Sequence, residues 1–560
     1  MIGPFSLEAA LIMRLFYLLI FSLCITTMHA DSWEEETLNK MTIEEKIGQL
    51  FMIAGYVDAE YAAREIQNKN AIEDIQAWIT QYSVGGIAFV GPSTSNAQIE
   101  LINRYQQHSK YPLLIAQDFE WGLSMRLKDG MRFPKNSTLG ALQDNELIYK
   151  MGKEIARQAR LVGVHMNLSP DLDVNIEPEN PVINVRSFGN CPKTVAAKGI
   201  MMIRGLQDGG VIASAKHFPG LGDITTDPHL GLPVNRQSKS RLEQVELYPF
   251  LQAVKGGVMS IQTDHVLMPA FDPDLPSSLS PRIVQGILKD EMGFQGVVLS
   301  GALRMPALTK TMTQEAIALQ AFKAGSDMLL MPADLPRAYT AIKQAYDSGV
   351  ITLDQINERV QKILKLKKFA GLDQKRLIET SPELVTQDAV ALKKALYRNA
   401  VKLLRDENGL LPIKASKALY VQIGDGAESV YDALKNKILV DCIRVGLDYQ
   451  DENALIKQVQ DYPLVIVAVY PADPRRIAEI RLMNAERQVQ ELKTFHVHGL
   501  TSNSLKVITA LSEHQKKIIV TFFGNPFGLG FFDDFSTLIM AYEDDPDAVE
   551  GAARLVICRD

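Results

Sequence analysis

Cysteine is scarce in this chain, and its spacing excludes two classes of protein. The 560 residues contain four cysteines, Cys24, Cys191, Cys442 and Cys558, and no two of them have Cys-x-x-Cys spacing. Disulfide-stapled scaffolds and zinc sites built from cysteine both need several cysteines at short, regular spacings. The sequence therefore predicts neither a disulfide framework nor a zinc site.

An excess of positive charge is also missing. The chain has 59 Lys+Arg against 66 Asp+Glu, for a net charge of -7. Proteins that bind nucleic acid or anionic membranes usually carry a basic surface, so neither partner is expected. Short-period repeats and low-complexity segments are lacking as well. A chain of this length exceeds one hydrophobic core, which predicts two domains.

The N-terminus differs from the rest of the chain. Residues 15–27 are apolar and uncharged, a length that suits a signal peptide and is too short to span a bilayer comfortably. With Met13 as an alternative start and cleavage after Ala30, residues 1–30 are predicted to be a signal peptide. The protein is then exported, to the periplasm or the medium, with no stable membrane span. The alternatives are an N-terminal anchor and, with weaker support, a lipoprotein through Cys24.

Short apolar runs alternate with amphipathic stretches between residues 40 and 370. The runs are residues 48–55, 84–90, 113–118, 165–174, 212–218, 260–265, 297–302 and 328–332. Eight such runs separated by helical patterns predict a (β/α)8 TIM barrel over residues 31–375. Polar residues gather where these runs end, which in such barrels is the catalytic face. They are Asp118, Asp171, Lys216, His217, Asp264 and His265.

A second alternation of strands and helices follows the barrel. Residues 353–372 predict an amphipathic helix whose lysines face solvent, and residues 376–398 predict a linker. Four apolar runs between residues 418 and 542 then indicate a smaller three-layer α/β domain over residues 399–560. Its glycine-containing turns have neither dinucleotide-binding nor P-loop spacing, so nucleotide binding is only weakly supported.

The stretch "SAKHFPGLGDITTDPHLGLPV", residues 214–234, carries the clearest chemical pattern. Lys216 and His217 end a strand together, and Asp227 and His229 follow two residues apart. A carboxylate beside an imidazole orients the ring and stabilises its protonated form, which suits acid–base work. A bare Asp-x-His is more typical of a surface loop, so the surrounding residues decide.

In full, "KHFPGLGDITTDPH" resembles the signature loop of glycoside hydrolase family 3, in its β-N-acetylhexosaminidase branch. The resemblance continues in "PLLIAQDFEWGLSMRL", "NPVINVRSFG" and "AGSDMLLMP" and covers the whole barrel. The second domain resembles the family's C-terminal α/β domain. The resemblance implies recognition of a carbohydrate that ends in β-linked N-acetylglucosamine, as in cell-wall or chitin-type fragments, and implies neither a metal nor an organic cofactor.

The resemblance also assigns five residues to the sugar. Asp118 matches the carboxylate that holds sugar hydroxyls, Arg126 and Arg186 match arginines of the same pocket, and Lys216 and His217 match its basic pair. We call these five residues the polar cup. Donors and acceptors together suit a neutral pyranose. The structural alternative for each residue is an ion pair at the barrel rim.

His229 matches the branch's general acid/base, and Asp227 matches its partner. This branch uses that dyad where most retaining glycosidases use a second carboxylic acid. Pro228, between the two, replaces a serine or threonine and removes a backbone N–H. Two further departures from the pattern are Trp121 and Leu123, in place of a glycine and an arginine.

The strand "VVLSGALRM" departs furthest from the family. The resemblance expects an aspartate nucleophile at the position of Gly301, and the nearest acidic residues, Asp290 and Glu291, precede the strand. Losing such a nucleophile commonly costs on the order of 10⁴-fold in rate. Standard double displacement is therefore not expected.

Three hypotheses follow from the missing nucleophile. The protein is a sugar-binding pseudoenzyme, or it is a hydrolase in which Asp264, on the preceding strand, replaces the missing carboxylate. In the third hypothesis, Gly301 leaves a hole that admits an external anion or water. Asp264 stands where the family usually has a small residue, and neighbouring strands lie about 4.8 Å apart. A strand-end aspartate that faces an ion pair is the structural alternative.

Overall fold

The computed structural model describes residues 32–66, 71–379, 383–426, 430–472, 498–515 and 517–558. The predicted signal peptide, residues 1–30, lies outside these ranges, and so the expected export stays a prediction. Within them, no helix combines the length and the apolar character that crossing a bilayer requires.

Eight parallel strands form a barrel in the first part of the chain. Their order is β7-β6-β5-β4-β3-β2-β1-β8. A parallel bridge from Leu299 to Met328 brings β7 against β8 and closes the barrel. The strands are β1 Phe51–Gly55, β2 Gly86–Phe89, β3 Leu114–Gln117, β4 Met166–Asn167, β5 Ile212–Phe218, β6 Ser260–Thr263, β7 Val297–Leu299 and β8 Leu329–Leu330. Each of the eight predicted runs contains one strand, which confirms the predicted barrel.

Helices lie between the strands and around them. The α-helices of this part are Trp33–Lys40, Ile43–Gln49, Ala59–Ile66, Ala71–Tyr82, Ser95–His108, Asn136–Gly140, Glu146–Leu161, Pro192–Asp208, Lys239–Gln244, Leu247–Lys255, Pro306–Thr309, Gln314–Ala324, Leu335–Asp347 and Leu353–Phe369. Shorter 3₁₀ turns cover Leu123–Met125, Asn184–Arg186 and Ser277–Leu279, and Arg282–Glu291 is π-helical. Because all eight strands are parallel, their carboxyl ends meet at one edge of the barrel.

The helix Leu353–Phe369 corrects one prediction about its lysines. It begins at a capping box formed by Thr352 and Gln355, as its sequence suggests. Lys367 is fully buried rather than solvated, and its Nζ donates to Gln49 Oε1 at 2.6 Å. Burial lowers the pKa of Lys367 to about 7. The helix therefore buries a lysine against the barrel through one specific hydrogen bond.

The stretch predicted as a linker contains the start of a helix, Gln387–Ala400. The second domain follows with strands β9 Lys402–Asp406, β10 Lys417–Ile423, β11 Leu439–Val445, β12 Val465–Val469, β13 Ile518–Phe522 and β14 Thr537–Met540. Its described helices are Val430–Leu434, Glu452–Val459, Ser502–His514 and Pro546–Ile557, with a 3₁₀ segment Pro526–Phe532.

The sheet of the second domain is covered on both faces. Its order is β11-β10-β12-β13-β14-β9, parallel except for β9, which runs antiparallel to β14. Successive residues of β10 enter different hydrophobic clusters: Tyr420 lies in one, and Leu419 and Val421 lie in the other. Alternating side chains point to opposite faces of a strand. The predicted three-layer α/β domain is thus confirmed.

Candidate active site

Polar side chains leave four neighbouring strands at the carboxyl edge of the barrel. Asp118 follows β3, Asp171 lies beyond β4, Lys216 and His217 belong to β5, and Asp264 follows β6. The backbones of Asp171 and Lys216 pair in a parallel bridge, which brings the exits of β4 and β5 together. Catalytic side chains of such barrels occupy this edge.

Lys216 is shared by three carboxylates. Its side chain is 3% exposed, and its Nζ lies 2.7 Å from Asp118 Oδ1, 2.8 Å from Glu120 Oε1 and 3.8 Å from Asp171 Oδ1. Burial lowers the pKa of Lys216, but these carboxylates outweigh it and raise the pKa above its ordinary value. The ammonium group is therefore charged throughout the physiological range.

Asp118 connects Lys216 to Arg126. Its second oxygen, Oδ2, accepts a hydrogen bond from Arg126 Nη2 at 2.7 Å. Burial raises the pKa of Asp118, but Lys216 and Arg126 outweigh burial and hold that pKa well below its usual range. Asp118 keeps a partly exposed carboxylate, with 18% of the side chain accessible. This arrangement suits an acceptor for ligand hydroxyls.

Arg186 lies on the 3₁₀ turn Asn184–Arg186 and is paired on several sides. Its Nε and Nη2 donate to both carboxylate oxygens of Glu120 at 3.0 and 2.8 Å, and Nε also lies 3.1 Å from Asp171 Oδ2. Its Nη2 lies 3.3 Å from His217 Nε2. A guanidinium can only donate, so His217 Nε2 accepts, and the ring proton lies on Nδ1, 2.7 Å from Asp173 Oδ2.

Among the three carboxylates around Lys216, Asp171 has a raised pKa. It is fully buried, and burial raises its pKa to about 7, with Arg186 opposing the shift and Glu120 adding to it. Burial also raises the pKa of Glu120, but Arg186 and Lys216 outweigh burial and lower that pKa to about 2. Of Asp118, Glu120 and Asp171, Asp171 is thus the carboxylate that takes up a proton most readily.

Asp171, Asp173 and His217 also offer donor atoms within 4.8 Å of one another, a spacing compatible with a metal ion. His217 Nδ1 already donates to Asp173, and Asp171 lies against Arg186 and Lys216. Two fixed cations beside the donors disfavour a divalent cation. The donors are better described as part of the charge network.

Asp227 and His229 form a pair on the loop after β5. His229 Nδ1 and Asp227 Oδ1 are 2.8 Å apart, and the backbone N–H of His229 donates to the same oxygen at 2.8 Å. The His229 side chain is 66% exposed. The hydrogen bond to Asp227 raises the pKa of His229, Asp264 raises it further, and Arg186 lowers it. The pKa of the His229 imidazole is therefore sensitive to charges beyond Asp227, those of Asp264 and Arg186.

Gly301 is buried two residues after the end of β7, next to an imidazole. A Cβ at this position would lie 2.8 Å from His265 Cε1, 3.0 Å from His265 Nε2 and 3.1 Å from Thr263 O. The His265 ring is held by Ser278 Oγ at 2.6 Å on Nδ1 and by Ala302 O at 3.0 Å on Nε2. The space that a side chain at 301 would enter is therefore already filled.

Asp264 precedes that histidine and lies beside β5. Its backbone N–H donates to Phe218 O at 2.8 Å, and its Oδ1 accepts from the backbone N–H of His265 at 2.6 Å. The side chain is nearly buried. The register of β6 and β7 pairs Gln262 with Leu299, so continuing it by two residues places Asp264 opposite Gly301.

Two members of the charge network were missed as site residues by the sequence analysis. Glu120 follows Asp118 by two residues, and Asp173 follows Asp171 by two residues. A period of two at the end of a strand brings alternate side chains to one side, and that signal could have found both. All five cup residues belong to the network, while Asp227 and His229 lie on the loop beside it.

Comparisons with known proteins agree on one family. Residues 42–366 match the model of the glycosyl hydrolase family 3 N terminal domain. A β-N-acetylglucosaminidase/β-glucosidase from Cellulomonas fimi is 28% identical over 409 residues, 70% of each chain. β-Hexosaminidase A from Pseudoalteromonas piscicida is 26% identical over 514 residues, 84% of each chain.

A solved structure is similar over nearly the whole chain. It is a glycoside hydrolase family 3 β-N-acetylglucosaminidase from Paenibacillus sp. str. FPU-7, with a TM-score of 0.74 and 29% identity. The match covers 92% of this chain and 97% of that one, so it includes the second domain. Since the family model alone covers more than half of the 560 residues, the chain belongs to glycosyl hydrolase family 3.

Proposed function

We propose that this protein binds the terminal β-linked N-acetylglucosamine of a glycan, such as a cell-wall or chitin-type fragment, in the polar cup. The observation that carries the proposal is the buried network in which Lys216 and Arg186 both pair with Glu120 and Asp171, while Lys216 also pairs with Asp118. Such a network fixes donors and acceptors in place before a sugar arrives, which lowers the cost of binding. The N-acetylglucosaminidase and hexosaminidase names of the relatives support this substrate class.

The Asp227–His229 pair is the proposed general acid/base. Asp227 fixes the ring and raises the pKa of His229, so the imidazole is protonated at higher pH than a free one. Its exposure on a loop leaves Nε2 accessible to a glycosidic oxygen. A general acid needs this reach and a pKa near the working pH.

The missing nucleophile favours a binding protein without standard turnover. Gly301 provides no carboxylate, and the His265 ring beside it argues against an open hole for an external anion or water. In this proposal the cup retains the sugar while the bond to the aglycone stays intact.

A second candidate, hydrolysis through Asp264, is favoured by the strand register. A carboxylate opposite Gly301 would attack the anomeric carbon as the His229 imidazolium gives its proton to the leaving oxygen. Neutral His229 would then take a proton from water, whose oxygen displaces Asp264 from the anomeric carbon. The charge of Asp264 acts on His229, which supports its place beside the acid/base.

Two measurements separate these proposals. Calorimetry with methyl β-N-acetylglucosaminide tests binding, and release of an aryl group from an aryl β-N-acetylglucosaminide tests turnover. The binding protein is supported if wild type binds the methyl glycoside but releases no aryl group, and if the Gly301→Asp variant does release it. Gly301→Asn is the matched control, because it has the same size without a nucleophile. Turnover in wild type that Asp264→Asn abolishes supports hydrolysis through Asp264. Wild type that neither binds nor turns over overturns the proposal.

A further inference from the structure

The second domain reaches the barrel at the loop that follows β3. Glu543, just beyond β14, is buried, and its Oε1 accepts from Lys135 N at 2.8 Å and from Thr138 Oγ1 at 2.6 Å. Its Oε2 accepts from Arg132 Nη2 at 3.0 Å. One carboxylate of the second domain thus fixes the start of the short helix Asn136–Gly140.

The same helix holds the backbone that carries Arg186. Asn136 is buried, and its Nδ2 donates to Arg186 O at 2.6 Å. At the other end of the helix, a Cβ on Gly140 would lie 2.3 Å from Phe188 O. Only a glycine allows so close an approach. The helix therefore contacts the segment 186–188 at two points.

A second contact between the two domains involves the 3₁₀ turn Asn184–Arg186. Asn525, which follows β13, donates from Nδ2 to Asn184 Oδ1. Asn184 begins the 3₁₀ turn that ends at Arg186 and has a φ of 44°. Asparagine is one of the few residues that tolerates this left-handed conformation. The turn that carries Arg186 is thus in contact with the second domain.

We propose that Glu543 of the second domain is a positioning residue for Arg186, acting through the helix Asn136–Gly140. The inference rests on the proposed function in so far as Arg186 holds the sugar. It gives the second domain a role in the barrel, because the domain keeps the guanidinium aligned with Glu120 and with His217. Binding of a sugar in the barrel then depends on a residue that does not touch the sugar.

The first test uses the pKa of His217 to monitor the position of Arg186 without any ligand. The charge of Arg186, whose Nη2 lies 3.3 Å from His217 Nε2, lowers the pKa of His217. NMR titration of ¹³Cε1-labelled histidines measures that pKa. We expect Glu543→Ala to raise it, because the guanidinium is released. Glu543→Gln should leave it near wild type, since the amide oxygen still accepts from the helix. An unmoved His217 pKa in Glu543→Ala overturns the inference.

Two further variants test whether the His217 pKa responds to this connection alone. Asn136→Ala breaks the other end of the same connection and should raise the pKa of His217 as Glu543→Ala does, with little added in the double variant. Lys393→Met is the matched control. It removes a 2.9 Å ion pair between the helix Gln387–Ala400 and Asp545 of the second domain and should leave the His217 pKa unchanged.

The second test measures the Kd for methyl β-N-acetylglucosaminide by calorimetry. We expect Glu543→Ala to bind about tenfold more weakly than wild type, the loss of roughly one hydrogen bond to a charged group. If wild type does not bind but His217 shifts in Glu543→Ala, the proposed function fails and the positioning role stands. If wild type binds and Glu543→Ala binds equally well with His217 unmoved, the positioning role fails and the proposed function stands.

Discussion

Adding a single methyl group at Gly301 should destabilise the barrel. The Cβ of Gly301→Ala would lie 2.8 Å from His265 Cε1, whereas carbon atoms normally approach to about 3.5–4.0 Å. The neighbour must therefore give way by about 0.7 Å. The ring is held at both nitrogens, by Ser278 and by the carbonyl of Ala302, so it does not rotate freely.

Both ways of making room cost a similar free energy. Forcing extra volume into a packed core costs about 1–3 kcal/mol. Breaking the hydrogen bond from His265 to Ala302 instead leaves buried polar groups unpaired, at about 1–3 kcal/mol. Alanine offsets about 0.4–1 kcal/mol of this loss, because it has less conformational freedom than glycine in the unfolded chain. The expected net loss in the free energy of unfolding is about 1–2 kcal/mol.

Urea unfolding, analysed for the barrel transition, measures this loss. In a His265→Ala background the nearest obstacle is gone and only Thr263 O, at 3.1 Å, stays close, so Gly301→Ala should there cost at least about 1 kcal/mol less than in wild type. A Gly301→Ala variant that is as stable as wild type, or that loses the same free energy of unfolding in both backgrounds, would contradict this prediction. The result bears on function, because Gly301→Asp has to displace the same ring before it can supply a nucleophile.

Three further predictions concern charge. Asp227→Asn should lower the pKa of His229 measured by NMR, because the hydrogen bond that raises it is weakened; an unchanged pKa would remove Asp227 as the partner. Lys216→Met should cost about 3–5 kcal/mol in urea unfolding by leaving buried carboxylates unpaired, whereas Lys239→Met, at an exposed ion pair, should cost almost nothing. Asp171 has its pKa raised to about 7 in the folded protein, so its contribution to stability is present below pH 4 and is lost as the pH rises through 7. The urea midpoint of Asp171→Asn should therefore fall less than that of wild type between pH 5 and pH 8. An equal fall in the variant and in wild type would contradict the prediction.

The barrel was predictable because each of its strands is a short apolar run with polar residues at its end. The same rule missed β9 and β11 in the second domain. Both are edge strands: "KLLRD" is half exposed along its length, and in "LVDCIRV" Leu439, Asp441 and Arg444 face solvent. A search for buried apolar runs identifies central parallel strands but misses edge strands, because an edge strand is partly exposed to solvent.

The family resemblance predicts the five cup residues from three separate stretches, of which the signature loop carries Lys216 and His217, but it does not give their partners. Glu120 and Asp173 interact with Arg186 and His217, which lie 66 and 44 residues away in sequence. Glu543 is further still from its partners, 405 residues from Thr138. A period of two could have found Glu120 and Asp173 themselves, but no local pattern encodes which distant residues they pair with. Such pairings arise from how strand exits converge and how one domain packs on another.

Gly301 shows where a sequence argument stops and geometry takes over. The sequence has a glycine beyond β7 where the family resemblance predicts an aspartate, and from that alone a hole, a replacement and a loss of chemistry all stay open. The structure places the His265 ring within 3 Å of the position a Cβ would take, so the glycine is matched to a neighbour rather than merely empty. The register of β6 and β7, continued by two residues beyond Gln262 and Leu299, also pairs Asp264 with Gly301. The His265 ring and Asp264 both bear on what an aspartate at position 301 can do, and Gly301→Asp therefore tests two positions at once.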